Sequence, residues 1–421
     1  MIPATDSSSR IGSLVINPGG PGGSATRLNE AAMIGPFTWP EALQKHFDIV
    51  GLDPRGVSKS SLAKCDPDIW NERVSYMPNT SEDFDALVDH NQRLATGCAN
   101  PTGPLIRHIS TQSVIRDLDA ARAALGDEQI TYLGLSYGTQ IGHEYAALFP
   151  DRVRHTVLDG ALGHSQPETA AFAAESTAYE TVLGAFFAWR NATDDCAQRG
   201  EDLAGLFAGL VAAADEEPIP PPACPDASEP CRADVAGEEL RVRAAGLLLE
   251  RAAWPGLARA LGRAADGNAT APSTRLATAA DWPRYSPLVI GGADWWHQSD
   301  ALGDLGAKQR LGAALNPHTG GMAQSYCYQA ACAEWPIPMG DPQRYLYVED
   351  APPILVVNAL YDPSTSYEWA VGMREQIEDS VLLTRNGYGH TSFSLSGEAT
   401  EIMVAKLVNG TMPPASTVVD T

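Results

Sequence analysis

Hydrophobic and polar positions keep one rhythm over the first 160 or so residues of this chain, lose it, and recover it near the end. Ile11-Gly12-Ser13-Leu14-Val15-Ile16-Asn17 is a short β-branched run that stops at Pro18-Gly19-Gly20-Pro21-Gly22-Gly23, which predicts a buried strand ending in a glycine-rich turn. Phe47-Asp48-Ile49-Val50-Gly51-Leu52-Asp53, closed by Pro54-Arg55-Gly56, predicts a second strand. Val114, Leu118, Ala121 and Leu125 then recur at helical spacing, and Gly126 supplies a C-terminal stop. Ile130–Leu135 predicts a strand that turns through Ser136-Tyr137-Gly138 into a helix carrying Ile141, Tyr145 and Leu148, ended by Pro150. His155–Gly160 predicts one more strand. Strands alternating with helices imply a mostly parallel sheet with helices on both faces.

From about Ser165 to about Tyr345 the pattern is helical and alanine-rich, broken by loops such as Glu217-Pro218-Ile219-Pro220-Pro221-Pro222. The first rhythm returns with the strand Ile354–Leu360, a helix near Trp369 to Ile377, a strand Ser380–Thr384 and a helix Ile402 to Leu407. This divides the chain into 1–164, the first part of an α/β core; 165–345, a helical cap insertion; and 346–421, the last part of the core. No internal repeat is visible.

Composition narrows the functional classes. The 421 residues are 44% hydrophobic, enough to bury a sizeable core without staples. A net charge of −23 repels phosphates, so neither nucleic acid nor an anionic membrane is expected as a partner. No run of 18 apolar residues occurs, so no spanning segment is expected. The seven cysteines form no CxxC pair. Proximity in sequence suggests the bridges Cys65–Cys98, Cys224–Cys231 and Cys327–Cys332, with Cys196 left over. Together with the sequons at Asn79, Asn191, Asn268 and Asn409, these cysteines suggest a secreted glycoprotein. The first ten residues have no basic and apolar leader, and that conflict suggests a chain truncated at its N-terminus.

The chemistry converges on the ends of strands. Gly134-Leu135-Ser136-Tyr137-Gly138 is a G-x-S-x-G between an apolar strand and an amphipathic helix, the context in which a strained turn projects a nucleophilic serine. Such a serine needs a base, and the base needs an orienting carboxylate. Of the nine histidines, His390 lies in the glycine-rich loop after the last strand, Asn386-Gly387-Tyr388-Gly389-His390-Thr391-Ser392. His164, His297 and His318 fall in or beside the insertion, and the others read as surface or packing residues. Asp362 follows the strand Ile354–Leu360 and is the candidate acid; Asp159 and Asp53 are rivals, though Asp53 and Arg55 read better as a buried structural pair. The order Ser136, Asp362, His390 is that of α/β-hydrolases. For the oxyanion, Tyr137 offers one backbone N–H and the loop Pro18–Gly23 the other. That loop lacks the spacing of a nucleotide-binding motif.

Taken together, Asn17-Pro18-Gly19-Gly20-Pro21-Gly22-Gly23-Ser24, Asp53-Pro54-Arg55-Gly56, Gly134-Leu135-Ser136-Tyr137-Gly138-Thr139, Val157-Leu158-Asp159-Gly160 and Gly387-Tyr388-Gly389-His390 resemble the tripeptidyl aminopeptidase-like branch of the α/β-hydrolase serine peptidases, relatives of proline iminopeptidase. The resemblance implies Ser136 as nucleophile, His390 as base and Asp362 as its orienter, with Gly20 and Tyr137 forming the oxyanion hole. It implies a helical cap and a family C-terminal segment from about Ser325. Three departures stand out. The chain begins almost at the family's third strand, so the first strands of the sheet are expected to be missing and an edge exposed. Gly292 stands where the family usually has a cysteine. The carboxylates that would hold a substrate's free amine lie in the weakly matched insertion, where Asp294 and Glu175 are the candidates.

The expected activity is therefore an exopeptidase that releases short peptides or amino acids from free N-termini through an acyl-enzyme. The alternatives are a carboxylesterase- or lipase-type ester hydrolase, since acyl transfer is common to both, and a non-catalytic hydrolase-like fragment. No cofactor and no metal site is expected. Small peptides are the expected partners of a monomeric, secreted enzyme.

Overall fold

The computed structural model describes residues 1–35, 37–192, 200 and 202–420. Seven strands form one sheet: β1 (Gly12–Asn17), β2 (Phe47–Gly51), β3 (Ile130–Leu135), β4 (Val153–Asp159), β5 (Ile354–Tyr361), β6 (Ser380–Tyr388) and β7 (Val418–Asp420), in the order β2-β1-β3-β4-β5-β6-β7. Every neighbouring pair is parallel, with Val15 opposite Val50 and Tyr132, and Val157 opposite Leu133 and Leu355. This is the α/β fold expected from the alternating rhythm.

Apolar residues fill both faces with period two. Leu14, Ile16, Leu355 and Val357 enter one core with Phe47, Met403 and Leu407. Their neighbours Val15, Ile354 and Val356 enter the other, with Tyr132, Ile141 and Val114. Several features escaped the sequence reading, among them the short helices Ala25–Ile34 and Glu41–His46 and three others. β7 is three residues long, too short for a periodic signal. Ile2 pairs antiparallel with Ile49 and covers part of the β2 edge expected to be exposed. The helix Ser81–Thr102 buries Phe84, Leu87, Leu94 and Cys98, and its capping box of Thr80 and Asp83 was legible in the sequence.

Between β4 and β5, every regular element among the described residues is helical. The long helix Glu168–Ala192 organises this region, packing Tyr179, Val182 and Phe186 against Phe207, Leu240 and Trp254. The helices lean on the carboxyl ends of the strands. Trp254 meets Tyr388 edge-on at 5.6 Å, and Tyr388 stacks on Tyr361 at 4.7 Å.

Among the described residues two bridges form, Cys65–Cys98 and Cys224–Cys231. Cys327 and Cys332 are both free, contrary to expectation. Five residues along a helix rotate a side chain by about 500°, leaving the two roughly 140° apart around the axis. Cys327 Sγ turns to Met322 Sδ at 3.5 Å. Cys332 faces Gly292, where a Cβ would stand 3.4 Å from its sulfur. Cys196 lies outside the described residues. The expected pair of Asp53 and Arg55 does not form either. Asp53 accepts from Thr26 N and Lys59 N at 3.0 and 3.1 Å, next to the first turn of the helix Ala25–Ile34. Arg55 reaches Asp117 instead, with two bonds of 2.6 and 2.7 Å.

Candidate active site

Ser136 sits between β3 and the helix Tyr137–Leu148 with φ +56°, a region that costs a non-glycine residue energy. The turn can be this tight only because its neighbours lack side chains. A Cβ on Gly134 would stand 2.3 Å from Gly138 O, and one on Gly138 would stand 2.7 Å from Asn17 O. Ser136 N donates to Asp159 O at 2.9 Å, so the turn is tied to the end of β4.

The glycine-rich loop after β1 presses against this turn. A Cβ on Gly19 would stand 2.4 Å from Leu135 O and 2.7 Å from Ser136 Cβ. Asn17 Oδ1 accepts from Gly19 N at 2.9 Å and Gly23 N donates to Gly19 O at 2.8 Å, which fixes the loop. Gly20 and Ser136 line one cavity. Tyr137 is the first residue of its helix, where a backbone N–H has no intrahelical acceptor.

Asp362 and His390 meet at the ends of β5 and β6. His390 Nδ1 lies 2.8 Å from Asp362 Oδ2 and 3.0 Å from Oδ1. Thr365 Oγ1 donates to Asp362 Oδ2 at 2.9 Å and lies 3.3 Å from His390 Nδ1. Ser364 N and Thr365 N donate to Oδ1, each at 2.9 Å. Burial opposes the Asp362 charge, but the His390 imidazolium and these donors outweigh it and hold the carboxyl below its ordinary range. Burial likewise opposes protonation of His390, and Asp362 outweighs it, so the imidazole is raised above 6.5. His390 Cε1 lies 3.2 Å from the place of a Cβ on Gly160, the residue after the Asp159 that holds Ser136 N.

Several groups fix the His390 loop. His390 N donates to Leu249 O in the insertion at 2.8 Å. The buried Arg385 donates to Ser392 Oγ at 2.9 Å and to Gly389 O at 2.8 Å. Asp159, the rival acid, accepts from Ser392 N and Phe393 N at 2.7 and 2.8 Å. It supports the loop rather than the imidazole.

The cavity beside Ser136 holds about 610 Å³ of empty space including its open mouth. Its far wall belongs to the insertion: Glu168, Ala171, Glu175, His297, Gln324 and Tyr328. Glu175 accepts from Gln324 N and Ser325 N at 3.2 and 2.8 Å, at the start of the helix Gln324–Ala331. Burial raises its carboxyl to about 7, against the pull of those donors. Asp294, the other candidate for a substrate amine, is not among the residues lining the cavity. It is fully buried and accepts from Thr111 N, Thr111 Oγ1 and Tyr137 Oη at 2.8, 2.7 and 3.3 Å. Its carboxylate anchors the Tyr137 ring from behind.

Glu168 and His297 were not singled out in the sequence. Glu168 Oε1 lies 2.8 Å from His297 Nδ1, and Oε2 accepts from Lys308 Nζ at 2.8 Å. Burial opposes the Glu168 charge, and these two cations outweigh it. His297 is raised to about 10, where the Cys332 sulfur and Glu168 outweigh burial. No spacing rule could have linked residues 168, 297, 308 and 332; only packing joins them.

The sequence matches the alpha/beta hydrolase fold family over residues 12–396. It is 31% identical over 436 residues to the serine protease Hip1 of Mycobacterium tuberculosis, covering 96% of this chain and 80% of that protein. It is 29% identical over 406 residues to the tripeptidyl aminopeptidase of Streptomyces coelicolor, covering 91% of this chain and 71% of that one. It is also 29% identical over 443 residues to the carboxylesterase B of Mycobacterium tuberculosis, covering 99% of this chain and 81% of that one.

Proposed function

The chain belongs to the alpha/beta hydrolase fold family, and we propose that it is a serine exopeptidase releasing short peptides or amino acids from free N-termini. Ser136 is the nucleophile, His390 the general base and Asp362 the group that orients and stabilises the imidazolium. Ser136 Oγ attacks the scissile carbonyl carbon while His390 takes the hydroxyl proton. The N–H groups of Gly20 and Tyr137 hold the oxyanion of the tetrahedral intermediate. The C–N bond breaks as His390 returns the proton to the leaving amine. Water, deprotonated by the same imidazole, then hydrolyses the acyl-enzyme and releases the acid.

The observation that carries the exopeptidase reading is Glu175. It faces the same cavity as Ser136, and its partners are two backbone N–H groups, with no bonded cation among the described residues. A substrate ammonium supplies the missing positive charge. The serine protease and aminopeptidase relatives support this reading. The insertion walls the cavity and restricts it to small substrates. The two disulfides support an oxidising, extracellular location, and no helix among the described residues is long and apolar enough to cross a membrane.

The carboxylesterase relative supports a second reading with the same catalytic residues and an ester substrate. Comparing an aminoacyl anilide, its N-acetylated form and a p-nitrophenyl ester tests the two. The exopeptidase reading expects the free-amine anilide to be preferred over its acetylated form, and that preference to fall in Glu175→Gln. Hydrolysis of the ester alone overturns it. A fluorophosphonate probe that labels the wild type and not Ser136→Ala tests the nucleophile; a folded protein that takes no label is not a serine hydrolase.

A further inference from the structure

Behind the Ser136 turn, lone pairs from three distant parts of the chain face one another. Glu144 lies on the helix Tyr137–Leu148, His164 on the segment that leaves β4, and Asp341 on the segment that returns towards β5. One ligand-type atom from each lies within 4.8 Å of the others, and all three side chains are buried.

Glu144 Oε1 accepts from Gln140 Nε2 at 3.0 Å, but the facing atoms of His164 and Asp341 are short of donors. His164 Nε2 lies 2.5 Å from Asp294 O, which places its proton there and leaves Nδ1 as a lone pair 3.6 Å from Glu144 Oε1. Among the described residues, Asp341 Oδ2 has no hydrogen-bond partner, and neither do the buried Gln140 Oε1 and His143 Nε2 nearby. Gln140, His143, Glu144, His164 and Arg344 line a cavity of about 10 Å³, room for a single small species. Among the described residues, Arg344 is the cation bonded to both carboxylates: it donates to Glu144 Oε2 at 2.9 Å and to Asp341 Oδ1. Two carboxylates thus share one guanidinium, and unpaired lone pairs in a dry interior are costly. One water brings two protons to three acceptors. A divalent cation satisfies all three at once.

We propose that Glu144, His164 and Asp341 form a binding site for one divalent transition-metal ion of the zinc type. An imidazole nitrogen with two carboxylate oxygens is a donor set such an ion accepts and magnesium does not favour. The ion ties the helix that starts at Ser136 to both junctions of the insertion, since residues 164 and 341 stand near its two ends. Its role is to hold insertion and core together; it takes no part in the acyl transfer.

The test uses the full chain, stripped with EDTA and titrated with ZnCl2. The expected result is one equivalent of zinc retained through gel filtration, with a rise in Tm that MgCl2 does not reproduce. Glu144→Gln, which keeps the shape of the side chain, and His164→Ala each lose that equivalent, while His390→Ala keeps it. Circular dichroism checks that each variant is folded; if His164→Ala is not, Glu144→Gln alone carries the comparison. Absence of retained zinc in the wild type overturns the proposal, and so does zinc retained in folded Glu144→Gln.

Discussion

Glu168 and Glu175 lie two turns apart on one helix, are equally buried and line the same cavity, yet their carboxylates stand in opposite electrostatic states. Glu168 is enclosed by His297 and Lys308 and stays ionised. Glu175 is met by Ser325 and the N–H of Gln324 and, among the described residues, by no bonded cation, and burial lifts it to about 7. Burial alone therefore assigns no role to a carboxylate. A charge already matched by cations holds the wall together; one met only by dipoles is available to a ligand's cation.

The comparison matters only if the cavity is where the reaction occurs, and that is the largest effect to look for. Ser136→Ala should lower kcat by roughly 10⁴-fold or more, measured on an aminoacyl anilide. An unchanged rate would detach both glutamates from catalysis. Asp362→Asn should cost about 10⁴-fold in kcat, because the imidazole loses the partner that fixes its tautomer.

Glu168→Gln strands a buried lysine and a buried imidazolium, so it should destabilise the fold by about 3–5 kcal/mol in denaturant titration. Glu175→Gln should leave stability nearly unchanged and lower kcat/KM for free-amine substrates by roughly tenfold to a hundredfold, the worth of about 1.5–3 kcal/mol for a charged hydrogen bond. N-acetylated substrates should be unaffected. If the two variants exchange these phenotypes, the assignment of wall and anchor is reversed.

The smallest effect is on pH dependence. Neutral His390 is the active form and its folded pKa is raised, so kcat/KM should fall with decreasing pH through a midpoint above 6.5. Glu175 is also raised, to about 7, so its charged form is lost as pH falls through that value. KM for free-amine substrates should therefore rise below about pH 7, and the rise should vanish in Glu175→Gln. A KM flat with pH would remove Glu175 from amine binding.

Much of the fold could be read along the chain. Strands β1 to β6 are each announced by a short β-branched run, and four of them end in a loop that carries a candidate catalytic group. Gly134 and Gly138 flank Ser136 because any Cβ there would strike backbone, a local requirement that leaves its mark in five consecutive residues. Asp362 and His390 are likewise marked by their place just past a strand. The insertion was legible as helical and little more. Side-chain partnerships were less legible: in the core Arg55 takes Asp117 over Asp53, and in the insertion Cys332 faces Gly292 over Cys327.

Local pattern thus decided which segments are strands, where the sheet turns, and which serine, aspartate and histidine stand at strand ends. The reason is that periodicity and steric exclusion act over a few residues. Tertiary packing decided that Glu175 lines the cavity while Asp294 sits behind Tyr137, that Glu168 is matched by His297 and Lys308, and that Glu144, His164 and Asp341 converge. Electrostatic partnership depends on distance in space, and in these clusters residues more than a hundred positions apart meet within hydrogen-bonding range.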